Sequence, residues 1–125
     1  MPNPVSVSRL EVKSHDTADE VRKPNKTRVE VVHLDGFTMG RITLEPGWRW
    51  SECVKPVVNT ESCQVSHVGY CASGHMVVRL KDGTEKTISA GESYTIPPGH
   101  DAWNDGNEDV VTLEVLSADV FAKPL

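Results

Sequence analysis

The sequence predicts a single all-β domain, a sandwich or a barrel, and three observations support this prediction. Its 125 residues suffice for one ordinary domain with its own core. From residue 28 onward, short runs rich in β-branched and aromatic residues alternate with turn sequences. No apolar helical stripe of useful length appears among these runs. Seven or more short strands at this close spacing are typical of a β-sandwich or β-barrel.

The predicted strands follow a polar segment that contains three prolines. Residues 1–27 include Pro2, Pro4 and Pro24 and are predicted to form an N-terminal arm, with one short helix near residues 16–22. The β domain is predicted over residues 28–125, and Asp82-Gly83 within it is a strong β-hairpin signal. The β-rich runs are RVEVVHL, FTMGRITLE, QVSHVGYCA, HMVVRLK, TEKTI, ESYTI and DVVTLEVL.

Charge and cysteine content narrow the classes of partner and compartment. Thirteen basic and 18 acidic residues give a formal net charge of -5, which argues against nucleic acid and anionic lipid as partners. The N-terminus lacks the apolar stretch of a signal peptide, and no run of about 18 apolar residues predicts a membrane span. Three cysteines without a Cys-x-x-Cys motif argue against a zinc ribbon. They favour reduced thiols in the cytoplasm.

Two blocks of glycines, prolines and potential ligands organise the β region. In the first, Gly47 is followed after five residues by Cys53, then by Lys55, a longer insertion and His67, and six further residues lead to Gly74. In the second block, Gly91 precedes Pro97, Gly99 and Ala102. Glycines at such positions allow the positive φ that sharp turns between strands require.

These two blocks resemble those of the cupin family over residues 39–115, about two-thirds of the chain. The resemblance implies a double-stranded β-helix, or jelly-roll barrel, with one pocket inside. Cupins usually hold one divalent metal ion there with three histidines and a carboxylate. The four corresponding positions here are Cys53, Lys55, His67 and Ala102.

The resemblance implies an altered set of metal ligands. Cys53 and His67 can bind a metal ion, and His100, two residues before Ala102, supplies a third ligand if its strand is regular. A Cys/His/His set favours Zn²⁺ over Fe²⁺ or Mn²⁺, although another divalent ion is an alternative. Glu52, Cys63 or water then completes the coordination.

Lys55 and the tryptophans favour a different occupant. An ammonium group at a ligand position repels a cation but suits a carboxylate or phosphate. Trp48, Trp50 and Trp103 flank the two blocks and can stack on a planar ligand. Each candidate also has a structural interpretation, because Cys53 can be an inert core thiol, His100 a turn residue, Glu52 a surface carboxylate, and the tryptophans a plug of the barrel mouth.

Three functions therefore remain open at this stage. The first is a module that binds a small molecule inside the barrel, and Lys55 favours an anionic one. The second is an enzyme dependent on Zn²⁺ or another divalent metal, with isomerase or lyase chemistry favoured over dioxygenase chemistry because the 2-His-1-carboxylate triad is missing. The third is a structural or partner-binding protein. A homodimer is expected with either of the first two.

Overall fold

The computed structural model describes residues 7–115, which form two antiparallel sheets. Residues 1–6 of the predicted arm and residues 116–125 of the predicted domain lie outside the described residues. Nine strands are present in this part of the chain. They are β1 (Glu20–Arg22), β2 (Thr27–Leu34), β3 (Phe37–Leu44), β4 (His67–Ser73), β5 (His75–Leu80), β6 (Glu85–Ser89), β7 (Ser93–Ile96), β8 (His100–Trp103) and β9 (Val110–Val115).

The two sheets enclose one hydrophobic core. The larger sheet has six strands in the order β1-β2-β3-β9-β4-β7, and the smaller has three in the order β6-β5-β8. Both contribute apolar side chains to the same buried cluster, for example Ile42 and Val110 from the larger sheet and Val78 and Ile88 from the smaller one. The predicted all-β fold class is confirmed.

Alternation along the strands decides which polar groups enter the core. In β9, Val110, Thr112 and Glu114 are buried, whereas Val115 is exposed, as expected for side chains that alternate between the faces of a sheet. In β4, His67 and Cys71 are buried on the same face, and Tyr70 lies exposed on the other. The larger sheet therefore directs both His67 and Glu114 into the interior.

The turns match the sequence prediction closely. Gly83 has φ +90 in the β5–β6 hairpin, where its N–H donates to the carbonyl of Leu80 over 3.0 Å. The four block glycines also adopt positive φ, at Gly47, Gly74, Gly91 and Gly99. This conformation reverses the chain at the strand ends.

The region before residue 28 differs from the prediction. The helix predicted near residues 16–22 is wrong: a 3-10 turn at His15–Thr17 is followed by strand β1, which pairs with β2. The Asp19 carboxylate accepts a hydrogen bond from the His33 N–H over 2.8 Å, and the Asp19 N–H donates to the Val31 carbonyl. The backbone groups of this segment thus pair with those of β2, and the sheet begins at residue 20.

Two short helices occupy the insertion between β3 and β4. They are α1 (Trp50–Cys53) and α2 (Lys55–Val58), and Asn59, the C-cap of α2, has φ 58. Strand β8 was also not predicted, because its four residues carry little apolar alternation. Within residues 7–115, no helix is long and apolar enough to cross a membrane.

Candidate metal centre

Three buried side chains with metal-binding atoms converge between the two sheets. Cys63, His67 and His100 each offer one ligand atom, and these atoms all lie within 4.8 Å of one another. Their exposed fractions are 2%, 5% and 3%. His67 begins β4 in the larger sheet and His100 begins β8 in the smaller one. The cluster therefore spans the space between the sheets.

Backbone hydrogen bonds hold Cys63 against His100. The Cys63 N–H donates to the His100 carbonyl over 2.8 Å, and the Gly99 N–H donates to the Cys63 carbonyl over 2.7 Å. These contacts form an isolated antiparallel bridge between the loop before β4 and the start of β8. The position of the thiol is thus determined by main-chain pairing.

A buried carboxylate and a phenol orient His67. The Glu114 carboxylate accepts a hydrogen bond from His67 Nδ1 over 2.7 Å and another from the Tyr94 hydroxyl over 2.6 Å. Because a carboxylate only accepts, Nδ1 carries the proton and Nε2 faces the Cys63 Sγ at 3.5 Å. A histidine that donates its second N–H to a carboxylate is the usual arrangement at metal sites.

His100 is oriented in a similar way by the backbone. Its Nδ1–H donates to the Pro97 carbonyl over 2.7 Å, which leaves the lone pair of a neutral ring on Nε2. The rings of His67 and His100 meet edge to face with their centroids 5.1 Å apart. Each imidazole thus has its Nδ1 bonded to the protein, and Nε2 is the nitrogen that would bind a metal ion.

The contacts within the cluster shift the pKa values of its members. Burial alone raises the pKa of the Cys63 thiol, but hydrogen bonds to His100 and His67 bring it down to about 7. Burial alone lowers the pKa of His67, whereas hydrogen bonds to Cys63 and Glu114 raise it to about 9. Burial and the charge of Glu114 raise the pKa of Tyr94. The contact between Cys63 and His67 therefore favours the charged form of each group, the thiolate and the imidazolium.

The donor set fits Zn²⁺. Zinc binds thiolate at about 2.3 Å and imidazole at about 2.0 Å, so tetrahedral coordination separates sulfur from nitrogen by about 3.5 Å. The distance between Cys63 Sγ and His67 Nε2 is 3.5 Å. Three protein ligands leave a fourth position open, which is typical of catalytic rather than structural zinc sites.

The space beside the cluster is small. A cavity of about 30 Å³ lies between the sheets. This volume equals the share of about one water molecule in the liquid and is far below the 300–1,000 Å³ of an organic ligand site. The cavity is lined by Ile42, Leu44, Trp48, Trp50, His67, Met76, Ile96, His100, Ala102, Thr112 and Glu114.

The structure brings together two of the three predicted metal ligands and replaces the third. His67 and His100 belong to the cluster, but Cys53 does not, because it ends helix α1 and its side chain joins the hydrophobic core. Among residues 7–115, the thiol that joins the two histidines is Cys63. The only sequence feature that could have indicated Cys63 as a ligand is its position four residues before His67. Glu114 was missed because nothing near it in the sequence indicates a buried carboxylate.

The predicted ligand-binding charges lie outside the interior. Lys55 is partly exposed on α2, and its Nζ lies 3.8 Å from the Glu61 carboxylate. Glu52 is exposed and lies 3.7 Å from Arg49. Because both side chains project from the short helices rather than from a barrel strand, neither lines the interior cavity. Lys55 is thus not placed to act as counter-charge for an anion held inside.

The tryptophans divide between the interior and the surface. Trp48 and Trp50 are 3% and 2% exposed and line the cavity. Trp103 does not line this cavity, and the Arg49 guanidinium stacks 4.2 Å from the centre of its ring. The three side chains do not form one rim. Two of them close the interior, and the third contacts a cation of the same chain.

Comparisons with known proteins bear on the family. Among curated proteins, none matches the sequence. The polyketide cyclase RemF from Streptomyces resistomycificus superposes with a TM-score of 0.62 at 17% identity, covering 86% of this chain and 78% of the other. A protein of unknown function from Rhizobium leguminosarum gives 0.63 at 23% identity, with 86% and 96% covered. A cupin sugar phosphate isomerase from Silicibacter pomeroyi gives 0.60 at 16% identity, with 84% and 74% covered.

The three similar structures share the fold of this chain, and a family model matches its sequence over most of the described residues. The family model described as "Cupin domain" matches residues 40–116, which is more than half of the chain. The matched region begins in β3 and contains all three members of the Cys/His/His cluster. The chain therefore belongs to the cupin family.

Proposed function

We propose that this cupin domain holds a divalent metal ion, preferably Zn²⁺, at Cys63, His67 and His100, and that it acts on a small molecule there. The convergence of these three side chains in the interior carries the proposal. Thiolate and imidazole are ligands that zinc prefers, and each imidazole has its other nitrogen bonded to the protein.

The donor set also favours some reactions over others. Zinc bound at this centre would act as a Lewis acid and lower the pKa of water in its open position. Glu114 and Tyr94 keep His67 oriented, and Trp48 and Trp50 limit the entry of bulk water. The Glu114 carboxylate is engaged with His67 rather than placed among the ligands, so the donor set differs from the 2-His-1-carboxylate triad of iron oxygenases. Isomerase or lyase chemistry is therefore proposed in preference to dioxygenase chemistry.

The similar structures give this proposal limited support. A polyketide cyclase and a sugar phosphate isomerase share the fold, so the fold is compatible with catalysis on small molecules. At 17% and 16% identity, these likenesses concern the fold, and the site alone must specify the activity.

Cobalt substitution tests the metal centre. In the Co²⁺-loaded protein, a thiolate-to-cobalt charge-transfer band is expected, and Cys63→Ser should abolish it and weaken metal binding by more than about 100-fold. Mutating a residue that only hydrogen-bonds to a metal ligand already lowers metal affinity by about 10- to 100-fold, so loss of a ligand itself should lower it further. Cys53→Ser is the matched control, since it changes a buried thiol outside the cluster, and it should retain both band and affinity. Stoichiometric metal binding that depends on Cys53 but not on Cys63 would contradict the proposal.

A larger cavity offers a place for the organic part of the molecule. A groove of about 470 Å³ lies between β6 and β7, within the usual range for small-molecule sites. Apolar side chains of Val78, Ile88 and Ile96 line it, and Ile96 also belongs to the wall of the interior cavity. Lys86 lines the same groove and takes part in no ion pair with residues 7–115. Glu92 also lines the groove, and its carboxylate accepts a hydrogen bond from the Ser89 N–H over 2.7 Å. These features support a small anionic ligand with an apolar body.

Binding of hexanoate tests the groove. We expect amide chemical-shift changes for residues 84–88 and 93–96, and we expect Lys86→Met to weaken hexanoate binding by about 2- to 5-fold, as for an exposed ion pair. Binding of neutral hexanamide should be unaffected. Lys55→Met, which removes a lysine outside the groove, should change neither affinity. Equal weakening by both substitutions, or shifts elsewhere only, would refute a carboxylate site at Lys86.

The partner and compartment proposals rest on surface and thiol chemistry. Val68, Tyr70 and Val115 are exposed to 54%, 43% and 37% on the outer face of the larger sheet, which supports a homodimer through this face. A monomeric mass by light scattering at high concentration would contradict the homodimer.

All three cysteines are free, which supports a reducing compartment such as the cytoplasm. Fractionation of cells that produce the protein would test that location.

A further inference from the structure

One buried hydrogen-bond donor has no partner in the described part of the chain. Trp48 is 3% exposed, and its indole Nε1–H is buried without an acceptor among residues 7–115. An unsatisfied buried N–H costs about 1–3 kcal/mol, and native proteins rarely leave one without a water, ion or ligand as acceptor.

The surroundings of Trp48 indicate which acceptor is missing. Trp48 lines the cavity of about 30 Å³ together with His67, His100, Thr112 and Glu114. The volume suffices for one water molecule, and these polar neighbours can provide the two to four partners that a buried water needs. An indole nitrogen only donates, so the group beside it must accept a hydrogen bond.

We propose that Trp48 Nε1–H holds a single oxygen atom in this cavity. In the ligand-free protein this atom belongs to a buried water molecule. In the loaded protein it belongs to a carboxylate or carbonyl group that reaches the metal centre, and this second part rests on the proposed metal function. Trp48 thereby selects ligands that present an oxygen acceptor and disfavours those that present an ammonium or alkyl group.

The chemistry of the cavity wall supports this selection. Apart from the polar side chains already named, the wall consists of apolar or aromatic residues such as Ile42, Met76 and Ile96. In such surroundings a hydrogen bond to a charged oxygen is stronger than the same bond in water. A ligand group that displaced the water without accepting from the indole would leave a buried donor unpaired, and the cost of that burial would weaken its binding.

The buried water can be tested in the metal-free protein. NMR of the ¹⁵N-labelled protein should show a cross-peak between the Trp48 indole proton and a long-lived water, and Trp48→Phe should remove this peak. Trp103, which does not line the cavity, supplies the reference signal. A Trp48 indole proton without a water contact would overturn the first part of the proposal, whether or not the protein binds metal.

The ligand class can be tested in the Co²⁺-loaded protein with formate, the smallest carboxylate. We expect Trp48→Phe to weaken formate binding by about 10- to 100-fold, as for the loss of a hydrogen bond to a charged group, with Co²⁺ affinity and the thiolate band unchanged. Trp103→Phe should leave formate binding unchanged. Unaltered formate binding in Trp48→Phe would refute the role in ligand selection. Failure to bind Co²⁺ at all would instead refute the metal centre and the ligand part with it, while the buried water would still be decided by NMR.

Discussion

Replacing Glu114 with leucine is expected to lower the free energy of unfolding of the metal-free protein by about 3–5 kcal/mol at neutral pH. Glu114 and His67 are 4% and 5% exposed, and the carboxylate accepts hydrogen bonds from both His67 and Tyr94. Removing one partner of a buried charged pair leaves the other charge uncompensated, which accounts for the size of the effect. Urea denaturation of the two proteins measures the difference.

The pH dependence of this loss provides a second measurement. Glu114 helps to raise the pKa of His67 to about 9, so the imidazolium stabilises the folded state most below the unfolded value of 6.5, and this contribution is lost as the pH rises through 9. The difference between wild type and Glu114→Leu should therefore shrink above pH 9. Glu114→Gln keeps an acceptor for Tyr94 and should cost less at neutral pH. A loss below about 1 kcal/mol in Glu114→Leu would show that the buried pair does not form.

Replacing Gly74 with alanine is expected to cost about 3 kcal/mol or more. Gly74 joins β4 to β5 with φ +74, and an added Cβ would overlap the Asp109 carbonyl oxygen and lie 3.0 Å from the Val110 Cα. Positive φ costs an alanine about 1–2 kcal/mol by itself. The overlap involves backbone atoms, so the neighbouring chain must also shift, which typically adds about 1–3 kcal/mol. Thermal or urea denaturation measures the loss.

Gly83→Ala is the matched control for the steric part of this effect. Gly83 has φ +90, but no atom lies within 4 Å of its added Cβ. Its cost should therefore stay near the conformational term of about 1–2 kcal/mol. Equal losses at Gly74 and Gly83 would mean that the backbone near Asp109 yields without cost.

The fold was largely predictable because its signals are local. Alternating apolar residues specified most strands, and Asp82-Gly83 specified a hairpin that the structure contains. The glycines of the two blocks adopt the positive φ that the turns require. Strands β1 and β8 were not predicted, because β1 has only three residues and β8, with the sequence HDAW, contains no β-branched residue.

The site was only half predictable, because its geometry depends on contacts between distant segments. His67 and His100 could be found from family positions and strand alternation. Cys53 could not be rejected from the sequence, since only the formation of α1 removes it from a strand and places it in the core. Cys63 reaches His100 by a backbone bridge, and Glu114 reaches His67 across 47 residues. Neither contact can be predicted from the spacing of residues along the chain.

The main-chain bridge between Cys63 and His100 also affects how an ion would be captured. Because the bridge and the hydrogen bonds to Pro97 and Glu114 already hold the three donors in place, the entropy of ordering them is lost when the chain folds. Ion uptake would then resemble the filling of a rigid receptor. It would contrast with small zinc modules, in which folding and metal binding are a single event.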